Sequence, residues 1–242
     1  MGCGSLRWEG DGAWVREIQN NLGFMICLQC CRRLLPKALS FWAPPCHSWI
    51  FLSRHTYKRS PNDIFGDLDN QEAQLQNRLV KRVCLLLRFL TACGVFWVVE
   101  QPQSSLLRCF PAFMKLRCKR VFFHMKSYGA PNPKGTVLWG TAPWLKRLKR
   151  KLSAGDRLAN DDKEVTVKTV GPRGATAVSG GKDLSETQSY PPLFGVSCAS
   201  YHTEFMNGKA DSDSEISDSS SEASDDSCSC ISELLESPFD VC

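Results

Sequence analysis

Residues 39–54 read LSFWAPPCHSWIFLSR, and residues 95–102 read VFWVVEQP. Each is a short run of apolar and aromatic residues with strand-like content that ends at proline, at Pro44 and Pro45 in the first and at Pro102 in the second. Proline lacks the N–H a sheet ladder needs and holds φ near −65°, so an inner strand over Leu39 to Ala43 has to stop there. Cys46 follows the stop, which puts its thiol on a loop just past the carboxyl end of a strand, the edge where open α/β sheets bind ligands. Glu100 ends the second run in the same way. A buried apolar cysteine is the competing reading of Cys46.

Between the two runs, Asn70 to Thr91 has helical spacing. Leu75, Leu79, Leu86 and Leu90 fall on one face, and Gln71, Glu72, Gln74, Asn77, Arg78 and Lys81 cover the other. Gly94 ends that helix and Val95 to Val99 forms the next strand. Upstream, Leu22 to Leu35 reads as a short helix rich in cysteine and leucine, closed by Arg32, Arg33 and Pro36. Helix, turn and strand in this order predict parallel pairing of the two strands, with Cys46 and Glu100 at one sheet edge.

Further along, Val121 to Phe123 is a candidate strand. Tyr128 to Thr141 is full of turn formers and is expected to expose Lys134. Trp144 to Leu152, WLKRLKRKL, reads as a helix with five basic residues, whether a nuclear import signal, a nucleic-acid contact or a plain solvated face. The basic stretch His55 to Ser60 has the same two readings, phosphate contact or solvent. Lys163 to Val170 alternates as a strand does, Gly171 to Gly181 reads as a loop, and Lys182 to Gly195 packs back through Tyr190, Leu193 and Phe194. The expected organisation is a flexible lead-in over residues 1–20, an α/β domain over 21–200 and a Ser, Asp and Glu-rich disordered tail over 201–242.

Charge divides the same way. The chain carries a net +5, yet residues 211–242 hold ten acidic residues and no basic one, leaving +15 on residues 1–210. Such a body favours a polyanion or an acidic membrane surface as partner, without saying which; the expected partners are DNA first and RNA second, in a nuclear rather than cytoplasmic setting within the cell. Serines beside acids in the tail suit acid-directed kinases, so the protein is expected to be a phosphoprotein. The 13 cysteines are odd in number and scattered through apolar runs, which fits a reducing compartment better than a disulfide scaffold. Cys27 and Cys30 have a metal-like spacing, with a buried helix face as the alternative and no second pair at zinc-site distance. Gly2 and Cys3 are acylation candidates, although Leu6 stands where the usual pattern has Ser or Thr. No stretch reads as a membrane span, since Val83 to Val99 is interrupted by Arg88.

Three motifs carry a resemblance. APPCHS, Ala43 to Ser48, is similar to the Pro-Cys loop of the cytosine-5 DNA methyltransferases. VFWVVEQP, Val95 to Pro102, resembles the strand that delivers that family's glutamate, with Gln101 where its bacterial and phage branches often have Asn. YGAPNPKGTVLWG, Tyr128 to Gly140, resembles its basic motif. The likeness spans residues 22 to 140. It implies a partial Rossmann-like methyltransferase sheet with flanking helices, and S-adenosylmethionine as methyl donor. Cys46 is then the nucleophile that adds to C6 of a flipped-out cytosine, and Glu100 the group that holds N3 and the amino group. Ser48 would close the loop by hydrogen bonding, and Lys134 would neutralise a phosphate or steady the base. The family's Gly-rich cofactor loop has no counterpart before Cys46. The expected protein is therefore a truncated or diverged member, with a second chain as one source of the cofactor half. A basic nucleic-acid or chromatin-associated protein without enzymatic activity is the alternative, and a chance match in an unrelated intracellular protein is the third reading.

Overall fold

Two β-strands that share their direction frame the first half of the chain, and the residues around them explain why. In the computed structural model, which describes residues 18–132, 134–152, 166–170, 176–180 and 189–208, β1 is Leu39–Trp42 and β2 is Phe96–Pro102. They pair in parallel, Leu39 with Phe96 through Trp42 with Val99, as the helix-turn-strand order predicts. The crossover contains helix α3, Gln71–Ala92, preceded by the short helix α2, Arg54–Tyr57. Asn70 caps α3 by accepting from the Ala73 N–H at 3.1 Å. Ahead of β1 lies α1, Asn21–Arg32, capped by Asn20, whose Oδ1 accepts from the Gly23 N–H at 2.7 Å.

The sheet has four strands in the order β1, β2, β4, β3, where β3 is Lys119–His124 and β4 is Gly135–Gly140. Strand β4 runs antiparallel to both neighbours. The expectation of turn structure over Tyr128 to Thr141 is therefore corrected. A 3-10 turn, Met125–Tyr128, and Gly129 at φ +91° are followed by an inner strand. The run Thr136, Val137, Leu138, Trp139 is buried on both faces, so it lacks the alternation by which a half-exposed strand announces itself. Helices cover both faces of the sheet. Leu79, Val83, Leu86, Leu87 and Leu90 of α3 pack on Trp97, Val99, Val137 and Trp139, joined by Phe113 of the short helix α4, Pro111–Met114. On the other face Val98, Val121, Phe123 and Leu138 meet Trp144, Leu145 and Leu148, together with Phe194 and Cys198 of α5, Pro192–Met206.

Trp144 to Leu152 is not the free basic helix its sequence predicts. Pro143–Leu148 is a 3-10 turn that buries Trp144, Leu145 and Leu148, and the chain beyond it is extended. Two of its arginines are engaged by the body. Arg147 pairs with Glu204 at 2.7 Å and lies 4.1 Å from the centre of the Tyr201 ring. Arg150 lies 4.3 Å from the centre of the Tyr128 ring. In the stretch 55–60, Arg59 is buried rather than solvated or available to phosphate. Farther on, β5, Thr166–Val170, pairs antiparallel with β6, Thr176–Gly180, so part of the expected Gly171–Gly181 loop is a strand. The acylation candidates Gly2 and Cys3 and residues 209–242 of the expected tail lie outside the described residues, while residues 201–206, placed in that tail by the sequence reading, are the last part of α5. Among the described residues no helix is long and apolar enough to cross a membrane.

Burial of thiols gives the core a pH signature. Cys84 on α3 and Cys198 on α5 are both pushed up to about 12 by desolvation. A raised acid keeps its proton longer in the folded state, so its contribution is fully present below the unfolded thiol value and is lost as pH rises toward 12. Urea unfolding at pH 8 and pH 10.5 is expected to show lower stability at the higher pH. The slope from each of these thiols is about 1.4 kcal/mol per pH unit above about pH 9.

Candidate active site

The carboxyl ends of β1 and β2, the entry to β4 and the exit of β3 all lie at one edge of the sheet, because β4 is reversed. Cys46 follows β1, Glu100 stands in the last half of β2, and Lys134 immediately precedes β4. In β2 the side chains alternate between faces. Val98 and Glu100 face α5, while Trp97, Val99 and Gln101 face α3. That alternation splits the Glu-Gln-Pro motif into two jobs.

Glu100 is the centre of the cluster. It is 4% exposed, its Oε1 lies 3.5 Å from Lys134 Nζ, and its Oε2 accepts a 2.7 Å hydrogen bond from the Tyr190 hydroxyl. Lys134 is thus only partly exposed and paired, instead of projecting freely from a turn. Its ammonium also lies 5.8 Å from the centre of the Tyr190 ring. Cys46 belongs to the same electrostatic group. Burial pushes its thiol up from the ordinary range, Glu100 pushes it further, and Lys134 and the cysteine's own backbone N–H oppose the rise. Tyr190 is likewise raised, first by burial and then by Glu100, with Cys46 adding to the effect, so its hydroxyl stays a donor. The Cys46 thiol is therefore held protonated, within the electrostatic reach of a carboxylate and an ammonium.

Gln101 performs the second job. Fully buried, it donates from Nε2 to the Pro44 carbonyl at 2.5 Å and accepts at Oε1 from Ser105 Oγ at 3.0 Å. Trp49 N–H donates to the Cys46 carbonyl at 2.9 Å, and Leu106 N–H donates to the Trp49 carbonyl at 2.8 Å. These bonds pin the Pro44–Trp49 loop to the end of β2. Ser48 was expected to close that loop. Its hydroxyl is buried and has no hydrogen-bond partner among the described residues, and the closure comes from Gln101 and the backbone. Gln101 and Tyr190 are the site residues that the sequence alone leaves unassigned. Gln101 shows in the motif as an amide in place of Asn, whereas nothing local marks Tyr190.

The described residues do not fit S-adenosylmethionine. Strand β1 is hydrogen-bonded only to β2, and no described strand or Gly-rich loop precedes it. The N-terminus of α1 is capped by Asn20, and Arg82 donates to the Ile18 and Asn20 carbonyls at 2.7 and 2.6 Å. No group of three or more His, Cys, Asp or Glu side chains fit to hold a metal occurs among the described residues. Cys27 of the Cys27/Cys30 pair is half-buried on α1 and packs against the core.

The fold and site define a mixed α/β protein with a four-stranded sheet, flanking helices and a Cys, Glu, Lys and Tyr cluster at the carboxyl edge. Comparison with known protein families, curated proteins and solved structures finds no match for the chain.

Proposed function

We propose that this chain is the catalytic half of a Rossmann-like, cytosine-5 DNA methyltransferase-type domain, built to receive an unstacked cytosine between Cys46, Glu100 and Lys134. The observation that carries the reading is the convergence of these three residues, each from a separate motif, on one sheet edge. Glu100 faces N3 and the exocyclic amino group, which are acceptor and donor on the edge of the base. Lys134 balances its charge. The Cys46 Sγ–C6 bond forms as the ring's C5–C6 π pair is displaced. The thiol proton passes to Glu100 and from there to N3, so the addition is neutral overall. Exposed Lys115, Arg117 and Arg120, at and just before the amino end of β3, lie toward the opposite sheet edge and add to the positive field that draws DNA or RNA. In an active enzyme S-adenosylmethionine would bring the methyl group. No residue described here is assigned to hold it, and the reading places that half on chain outside the described residues or on a second chain. A nuclear setting goes with a DNA partner.

The test needs no methyl donor. In a DNA oligonucleotide carrying 5-azacytosine, ring nitrogen 5 accepts the displaced electron pair and a proton, so thiol addition at C6 is complete by itself. Incubation with the full chain is expected to yield a covalent protein–DNA species by denaturing electrophoresis and mass spectrometry, located on Cys46 and absent in Cys46→Ser. DNA binding without an adduct favours the basic, non-enzymatic alternative.

A further inference from the structure

Glu100 offers a base only one free oxygen, since buried Oε1 accepts no hydrogen bond among the described residues while Oε2 is taken. Oε1 faces Lys134 at 3.5 Å and Oε2 takes the Tyr190 hydroxyl at 2.7 Å, from a residue 90 positions away in the chain. A cytosine protonated at N3 presents two adjacent donors, N3–H and the amino group, and engages a carboxylate fully only through both oxygens. The Tyr190 ring is built to leave. It is 38% exposed and held by edge contacts to Phe41 at 6.1 Å and a tilted contact to Phe194 at 5.8 Å between ring centres. Phe194 itself is 3% exposed and packs on Phe123 and Tyr128, so the anchor of α5 stays in the core when the neighbouring ring swings outward.

We propose that Tyr190 is a removable cap on Glu100, a positioning residue that closes the empty site and yields Oε2 to the incoming base. This rests on the reading of Glu100 as the base-holding group. Admission then depends on exchange. A base whose edge replaces the phenol's hydrogen bond is accepted, and one that presents an acceptor there, as thymine does with its O4, meets an unpaired carboxylate. Closure also screens the thiol. Cys46 follows β1, whose Phe41 packs on the Tyr190 ring at 6.1 Å between ring centres, and burial is the largest cause of the raised thiol. Removal of the ring admits water and brings the thiolate into a lower pH range, whereas removal of the hydroxyl alone leaves the ring in place.

Two variants of the full chain separate the parts. Tyr190→Phe keeps the ring contacts and frees Oε2. By fluorescence anisotropy it is expected to bind a cytosine-containing single-stranded oligonucleotide about tenfold more tightly than wild type, with no change on the same oligonucleotide with thymine at those positions. Tyr190→Ala is expected to speed carbamidomethylation of Cys46, read by peptide mass spectrometry, and to move its pH profile downward, while Tyr190→Phe leaves that profile in place. Equal affinities of wild type and Tyr190→Phe for cytosine overturn the cap but leave the base-binding reading intact, provided wild type prefers cytosine to thymine. If neither protein discriminates between the two, the reading and the cap fail together. An unchanged Cys46 profile in Tyr190→Ala overturns the screening role.

Discussion

Arg59→Ala is expected to lower unfolding stability by about 4 kcal/mol, measured by urea denaturation with tryptophan fluorescence. Arg59 is 2% exposed, and carbonyls, an amide oxygen and a ring surround its guanidinium. Its Nη1 donates to the Ile64 carbonyl at 2.6 Å and to Asn77 Oδ1 at 2.7 Å, and Nη2 donates to the Ala73 carbonyl at 3.1 Å. The guanidinium carbon lies 3.8 Å from the centre of the Trp49 ring. Desolvation lowers it to about 10, a sign of how much the buried charge relies on these acceptors. Truncation leaves the Ile64 carbonyl and Asn77 Oδ1 without their donor and opens a void beside Trp49. Arg59→Lys keeps the charge but cannot span the acceptors with a planar fork, so it is expected to recover less than half of the loss. Gly66 belongs to the same knot. Its φ is +67°, and an added Cβ would collide with the Tyr57 carbonyl and press on Arg59 Cγ at 2.8 Å. Since Trp49 ends the Cys46 loop, this knot supports the site from below.

Glu100→Gln is expected to divide two reactivities of the same sulfur. Adduct formation with the 5-azacytosine oligonucleotide falls about a hundredfold, because the amide neither relays the thiol proton nor anchors a protonated base edge. Alkylation by iodoacetamide at pH 7.5 moves the other way, rising roughly threefold. The sign follows from the surroundings of Cys46. The negative charge of Glu100 raises the thiol and Lys134 lowers it, so neutralising residue 100 leaves Lys134 unopposed and shifts ionisation to lower pH. Lys134→Met removes the opposing charge and is expected to slow alkylation. A Glu100→Gln protein that loses both reactivities together has lost its fold at this edge, and a change in neither would remove Glu100 from the site.

Strands β1 and β2 and helix α3 were legible because each carries its own period and its own stop, the double proline, Gly94 and the Asn70 cap. Their parallel pairing followed from the order of elements, and with it the approach of Cys46 to Glu100. Strand β4 was hidden by the company it keeps: Tyr128 to Gly135 is dense in turn residues, and four consecutive buried side chains show no alternation. The leucines of Trp144 to Leu152 suit a helix, but Pro143 starts a tighter turn and α5 claims the arginines. Arg59 looked like one more surface cation, since nothing local tells that carbonyls 5 and 14 residues on will enclose it. Tyr190 lay furthest from inference. Its packing was foreseeable from its apolar neighbours, but a hydrogen bond to a carboxylate 90 residues earlier exists only once the sheet is assembled.

The order of the strands also ranks the parts of the site by how easily they come apart. Glu100 stands on an inner strand and Lys134 at the mouth of another, each hydrogen-bonded on two sides, whereas Cys46 trails from β1, which is tied to β2 alone among the described strands. Local opening begins where the fewest bonds must break. A transient release of the four residues Leu39–Trp42 therefore loosens one end of the Cys46 loop, which Gln101 still ties to β2, and leaves the Glu100 carboxylate and the Lys134 ammonium standing. On the proposed reading such a state holds a base but attacks it less readily, and the lifetime of a small edge strand then sets how often recognition proceeds to a bond.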